Sequence, residues 1–302
     1  MTTTITASMR ETALATLDEA LDTDPRLAVV LADISAAQLD AAAARHPDRV
    51  INLGIREQLL VSVAGGLALA GMRPVAHTFA SFLVERPFEQ IKLDLGHQGA
   101  GAVLMSSGAS YDMPTAGRTH QSPGDVALLD TLPGWTVHVP GHPAEARELL
   151  LDSLPGSDPV YLRLSEASNA DARVGAGIHR VRRGGRGVVL AVGPMLDRTL
   201  AATEGLDVTV LYAATVRPFD ARGLREAVDA TGVADVVLVE PYLAGTSAQH
   251  VAVALEDVPH RVRSLGMRRD AEVRVYGSMA DHDRAHDVDE AGIARSVAEF
   301  LR

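Results

Sequence analysis

Short, almost wholly apolar runs alternate with amphipathic stretches from end to end of this 302-residue chain. In the first half the apolar runs are LAVVLAD (27–33), VINLGI (50–55), PVAHTF (74–79), GAVLMSSG (101–108), WTVHVP (135–140) and PVYLRLS (159–165). Strands this apolar are buried on both faces, which is the condition of a parallel sheet covered by helices. The stretches between them, such as AAQLDAAAARH, REQLLVSVAGGLALA, PFEQIKLDLG, DVALLDTL and PAEARELLLDSL, carry helical spacing. The alternation therefore predicts an α/β fold, doubly wound.

Residues 166–187, EASNADARVGAGIHRVRRGGRG, break the pattern with Gly, Asn, Asp and Arg and read as a linker. Beyond them the alternation resumes in VVLAVG, DVTVLYAA, DVVLVEPY and RVRSLGM. The chain closes on DVDEAGIARSVAEFLR, acidic first and basic last, as the helix dipole prefers. Two α/β domains are expected: residues 1–166 and 180–302, joined by 167–179.

A formal net charge of −11 without a basic stripe argues against a nucleic-acid or anionic-membrane surface. No cysteine is present, so disulfides, thiolate metal sites and a cysteine nucleophile are excluded. The first residues, MTTTITASMRETALATLDEAL, lack the basic-then-apolar order of a signal peptide, and no apolar run nears the ~20 residues that cross a bilayer. A soluble, cytoplasmic protein is expected. No strand run is followed by GxGxxG, and GxxxxGK[ST], GxSxG and HExxH are missing. His282 and His286, in DHDRAHDVD, have the spacing of a helical metal pair, but a solvated loop before the last helix is the plainer reading. No metal ligand is assigned to this chain.

One acid stands out. Glu57, in INLGIREQLLVSVAGGLALAGMRPVAHTFASF (51–82), lies where an apolar run meets an apolar, small-residue helix. As a first-turn helix acid it would be worth only ~0.3–1 kcal/mol. The strings around it add a second meaning. NLGIREQ, GLALAGMRPV, HTFASF, RPFEQIK, GRTHQSPGD, LPGWTVHVPGHPAEA and PVYLRL occur in that order, and together they resemble the pyrimidine-binding domain of transketolases. AVGPMLDRTLAA, TVRPFD, VVLVEPY and AGTSAQHVAVAL resemble the transketolase C-terminal domain. The diphosphate- and metal-binding signature, GDG followed some thirty residues later by Asn, is missing. The chain thus looks like the second subunit of a split transketolase.

That resemblance implies thiamine diphosphate as cofactor. It implies Mg2+ held by a separate N-terminal subunit that carries the diphosphate- and metal-binding domain, in an α2β2 heterotetramer. It implies transfer of a two-carbon ketol unit from a ketose (phosphate) donor to an aldehyde acceptor through the cofactor's ylid. Glu57 matches the family's glutamate that hydrogen-bonds the aminopyrimidine nitrogen. A partly apolar site raises a carboxyl group's pKa and lets it share that proton. Phe79 and Phe82 match the aromatics that pack the pyrimidine, with core packing as their plain alternative. Asp33, at a strand end where open α/β sheets place ligands, matches an acid near the cofactor; a helix N-cap would also explain it. His120 matches the THQ histidine of the substrate channel, able to donate to a donor oxygen or phosphate or to move protons. Arg163 matches an arginine that binds the sugar phosphate; otherwise it is a surface ion pair. His77, two residues before Phe79 on one strand face, is a further substrate-side candidate. Arg86 and Gln90 read as structural or interface residues, and Glu240 as an interface ion pair.

The segment also departs from the family. Where sugar-phosphate transketolases read GEDGPTHQ, this chain reads MPTAGRTHQ, so Ala116 replaces an aspartate that contacts a donor hydroxyl. By spacing, Gly108 replaces a substrate-facing histidine, and Asp112 could substitute only if the loop has shifted. Specialised substrates are the expectation, differing in donor or acceptor from the pentose pathway's; a non-sugar aldehyde acceptor in secondary metabolism would fit. Rival readings are the β subunit of a 2-oxo acid dehydrogenase E1 component, a deoxyxylulose-phosphate-synthase-like enzyme, and a non-catalytic scaffold or regulatory subunit.

Overall fold

The computed structural model describes residues 7–302. Two sheets organise them. The first contains β1 (Leu27–Leu31), β2 (Val50–Asn52), β3 (Arg73–Phe79), β4 (Val103–Ser107), β5 (Thr136–His138) and β6 (Val160–Arg163). The second contains β7 (His179–Arg182), β8 (Val188–Val192), β9 (Thr209–Ala213), β11 (Asp235–Leu243) and β12 (Arg261–Met267). Between β9 and β11, the short β10 (Thr215–Arg217) leaves the second half and joins the first sheet, giving the order β10-β5-β6-β4-β3-β1-β2; the second runs β12-β11-β8-β9-β7. All pairings are parallel except β10 with β5 and β7 with β9, which sit at the sheet edges. The expected α/β class is what the chain adopts.

Every residue of β1, β4, β8 and β9 is buried, as parallel strands covered on both faces require. Helix Met9–Thr23 opens on a capping box in which Ser8 and Glu11 bond each other's backbone, and it packs with helix Pro143–Ser153 over one face. Helix Glu57–Leu69 covers the other face, with Leu60, Val61 and Ala64 in the core.

Two expectations need correction. The stretch read as a linker contains β7, which pairs with β9 as an antiparallel edge and starts at residue 179. DHDRAHDVD is not a solvated loop: it runs through helix Met279–Ala285, opened by a Ser278–Asp281 capping box, and both His282 and His286 are buried. Both histidines stack near the Tyr111 ring, at centroid distances of 5.3 and 5.6 Å, and lie 6.2 Å from each other, so the three rings join one half of the molecule to the other. Among the described residues, no group of three or more His, Asp or Glu side chains is placed to hold a metal. No described helix is long and apolar enough to cross a membrane.

Candidate active site

The C-terminal ends of β1 and β3 and the loop after β4 converge on one region. After β2, Asn52 Oδ1 accepts from the N–H groups of Gly54 and Asp33, both at 3.1 Å, which ties this turn to the end of β1. Gly54, at φ +68, turns the chain into helix Glu57–Leu69. No side chain caps that helix. Its first residue, Glu57, is only 2% exposed although both Ile55 and Arg56 are exposed.

The partner of this buried carboxylate is Arg86. Its Nη1 donates to Glu57 Oε2 at 2.8 Å, and its guanidinium lies 4.1 Å from the centre of the Phe82 ring. The cation thus bridges an anion and an aromatic face. Phe82 in turn meets His120 edge-on at 5.0 Å, Phe79 meets His120 at 5.8 Å, and the two phenyl rings are 6.1 Å apart. Glu57, Arg86, Phe82, His120 and Phe79 therefore form one contiguous group. His120 Nδ1 pairs with the Thr119 hydroxyl at 3.0 Å. Among the described residues Glu57 Oε1 takes no hydrogen bond, which leaves an acceptor in a nearly closed carboxylate.

Gly108 sits against this group. It has φ +68, and a Cβ there would come within 3.2 Å of both Phe79 Cδ1 and Met113 Sδ. A side chain at this position meets an aromatic ring and a thioether. Ala116 ends a short turn of helix, Pro114–Ala116, in the same loop.

The other sequence candidates stand apart. Asp33 is exposed, with φ +64, and its carboxylate accepts from Asn52 Nδ2 at 3.2 Å; the short helical turn that follows begins after Ala36, so Asp33 is not its cap. His77 is fully buried. Nε2 meets Ser35 Oγ at 3.0 Å and Nδ1 meets the Met105 carbonyl at 2.8 Å, so both nitrogens are occupied beneath the cluster. Burial pushes its pKa down to about 4, so the ring is neutral near pH 7.

Arg163 is not a surface residue. It is fully buried, with Nε donating to Asp125 Oδ2 at 2.7 Å and Nη2 to Ser110 Oγ at 2.7 Å. Asp125 also accepts from the Tyr161 hydroxyl at 2.7 Å. Asp112 turns away from the Phe79–His120 cluster and accepts from the Glu166 N–H at 3.0 Å; burial pushes its pKa up to about 7. Glu240, read as an interface ion pair, is wholly buried and accepts from the N–H groups of Ser247 and Gly245 at 3.0 and 3.2 Å. Burial raises its pKa. Gln90 lies in the short helix Phe88–Gln90, outside the cluster. Arg86 is the residue that sequence reasoning undervalued. Its spacing of 29 residues from Glu57 offers no periodic signal, and only the fold brings the two together.

The chain matches the family "Transketolase, pyrimidine binding domain" over residues 6–170. It is 58% identical over 288 residues to an uncharacterized 33.6 kDa protein in the fasciation locus of Rhodococcoides fascians, covering 95% of this chain and 92% of that one. It is 28% identical over 273 residues to the 6-deoxy-6-sulfo-D-fructose transketolase subunit SqwH of Clostridium sp. (strain MSTE9), covering 86% and 84%. Among solved structures, a protein described as "Split gene transketolase, inactive beta4 tetramer" superimposes with a TM-score of 0.83 at 27% identity, covering 98% of this chain and 99% of that one. The protein belongs to the transketolase pyrimidine-binding family and is a transketolase-type transferase subunit of the split kind.

Proposed function

We propose that this chain activates thiamine diphosphate for transfer of a two-carbon ketol unit from a ketose (phosphate) donor to an aldehyde acceptor, in company with a separate subunit that holds the diphosphate and Mg2+. The observation that carries the reading is the buried Glu57 carboxylate joined through Arg86 to the Phe82–His120–Phe79 group.

This arrangement fits the pyrimidine half of the cofactor. A flat ring gains burial and stacking from phenylalanines, and a buried acid with a free acceptor oxygen suits a ring nitrogen that must share a proton. When bound, thiamine diphosphate supplies a thiazolium carbon that acts as a nucleophile towards carbonyl groups once it has lost its proton. Glu57 would hold the proton at the pyrimidine nitrogen, and Phe79 and Phe82 would exclude water from that ring. Arg86 would position Glu57 through the 2.8 Å hydrogen bond to its Oε2. His120, half-buried beside both rings, would donate to the substrate oxygen or move its proton. Asp33 is kept as a rim residue of the same mouth. His77 acts on the site by supporting its walls, both its ring nitrogens being occupied; Arg163, held by Asp125 and Ser110, keeps one nitrogen unpartnered among the described residues, Nη1, for the sugar phosphate.

Gly108 and Ala116 support specialised substrates, because the groups they replace are those the resemblance assigns to reading sugar hydroxyls. A relative named for 6-deoxy-6-sulfo-D-fructose agrees with divergence of substrate within split enzymes. A non-sugar aldehyde acceptor, in secondary metabolism, is the form we favour. The working assembly is an α2β2 heterotetramer in the cytoplasm, the lack of cysteine being compatible with a reducing compartment. Residues 167–179 mark the division of the two domains.

The test is reconstitution with the partner subunit, thiamine diphosphate and Mg2+. Calorimetry should show cofactor binding tight only for the mixture, and Glu57→Gln should lower ketol transfer by about 10²–10⁴-fold. Normal turnover by Glu57→Gln would end the assignment of Glu57. Ordinary turnover of xylulose 5-phosphate with ribose 5-phosphate would remove the specialised-substrate part alone.

A further inference from the structure

A cavity of about 350 Å3 lies between the two halves of the chain, behind the loop that carries His120. That volume is within the range of small-molecule pockets, roughly 300–1,000 Å3. Arg118 and Gln121 line it from the first half, and Arg268, Arg269 and His286 from the second. In a chain of net charge −11 its charged lining is cationic, because three guanidiniums face only two carboxylates, Asp270 and Glu272.

Those carboxylates are committed. Arg268 pairs with Asp270 at 2.8 Å, and Arg118 with Glu272 at 3.0 Å. Arg269 is different: its Nε donates to the Ala244 carbonyl at 2.6 Å and its Nη2 to Thr246 Oγ1 at 3.3 Å, and among the described residues it has no carboxylate partner. Two further donors at the wall lack acceptors. Gln121 is 3% exposed and its Nε2 has no hydrogen-bond partner. His286 is 6% exposed; its Nδ1 accepts from the Arg268 N–H at 3.2 Å, so the ring proton is on Nε2, which is also without a partner. Buried donors left unsatisfied are costly, and an acceptor-rich occupant relieves them. Opposite the cations, Leu243, Met267, Pro123 and Val273 give an apolar wall.

We infer that this cavity binds a phosphorylated small molecule, its phosphate towards Arg269, Gln121 and His286 and its organic part against the apolar wall. Guanidinium groups match phosphate oxygens in pairs. Gln121 directly follows His120, and Gly117 of the same loop presses on the Tyr276 ring of the second half, where a Cβ would come within 2.7 Å. An occupant would therefore set the segment that carries His120. The inference is independent of the proposed chemistry.

Thermal unfolding of the intact chain tests it, with inorganic phosphate and phenyl phosphate as probes and sodium chloride at equal ionic strength as the control. Both probes should raise Tm saturably, by about 2 °C at a tenfold excess over Kd, and phenyl phosphate should bind the tighter. Arg269→Gln and Gln121→Glu should each weaken binding at least tenfold. Arg269→Lys, which keeps the charge but loses the paired guanidinium donors, serves the same purpose if either fails to fold. His120→Ala should keep the shift, since the anion does not sit in the Phe79–Phe82 cluster. No shift beyond chloride, equal shifts in the cavity variants, or loss of the shift in His120→Ala would each overturn the site. Phenyl phosphate binding no tighter than phosphate would overturn the role of the apolar wall.

Discussion

Glu57 shows how much one side chain's meaning depends on its neighbours. Its place at a helix start was legible in the sequence; its burial and its Arg86 partner were not, because residues 29 apart on different elements meet only through the sheet. Arg163 shows the reverse. The family resemblance suggested a sugar-phosphate ligand with a surface ion pair as the alternative, yet the residue is buried and Asp125 and Ser110 hold its Nε and Nη2. Removing one partner of a buried ion pair leaves an uncompensated charge, so this pair is part of the scaffold. His77 carries a prediction of its own. Its pKa of about 4 in the fold is depressed from the ordinary 6.5 by burial. The neutral ring thus contributes stability that is present above pH 6.5 and is lost as pH falls towards 4. The difference corresponds to roughly 3 kcal/mol. Denaturant midpoints at pH 7 and pH 4.5 should show a smaller acid loss for His77→Gln than for the native chain, with His138, also held at about 4 by burial, acting in the same direction. An unchanged acid loss would mean that His77 is not the group responsible.

At the scale of elements, the helix Glu57–Leu69 owes its position to a single missing side chain. A Cβ on Gly65 would stand 2.7 Å from the Asp94 carbonyl oxygen, so the helix and the wide helical turns of Ile91–His97 approach backbone to backbone. Ser62 Oγ donates to Asp94 Oδ2 at 2.5 Å and fixes the register of the contact. Gly65→Ala should therefore destabilise the chain by about 1–3 kcal/mol through overpacking. Its neighbour Gly66 meets nothing within 4 Å, and Gly66→Ala should stabilise the isolated chain by up to ~1 kcal/mol through helix propensity. Equilibrium unfolding of the two variants reads the contrast directly, and equal effects would dismiss the close crossing. The sequence showed the glycine pair but not which member faces the neighbour, because adjacent helical residues differ only in direction.

At the scale of the whole molecule, the chain before Glu57, the helix that Glu57 opens and the Ile91–His97 segment packed on it carry exposed apolar side chains. Ile55 is 70% exposed, Leu69 61%, Leu59 43% and Leu93 42%. Exposed apolar groups gathered beside a half-built site mark an interaction surface, and we assign it to the subunit that completes the cofactor site. Leu59→Glu with Leu93→Glu should leave the isolated chain folded and weaken association with the partner by at least tenfold, read by analytical ultracentrifugation of the mixture. Undiminished association would place the partner elsewhere. The two halves of the chain are themselves held together by β10, which crosses from the second half to pair with β5, and by the cluster of Tyr111 with His282 and His286. Neither link had a sequence signal: β10 is three residues long, and a tyrosine so far along the chain from the histidines it meets has no spacing to read.

By itself, the sequence determined the alternation of buried strands and covering helices, since hydrophobic period and burial are local properties of the chain. It also determined the family, because the ordered strings from NLGIREQ to PVYLRL are matched as a set. Only the tertiary structure decided which charges serve as partners. It paired Glu57 with Arg86, enclosed Arg163 with Asp125, and brought Arg118, Arg268 and Arg269 to one cavity. Electrostatic and hydrogen-bond energies depend on distances of a few ångströms between residues far apart in the chain, and those distances exist only once the sheets have formed.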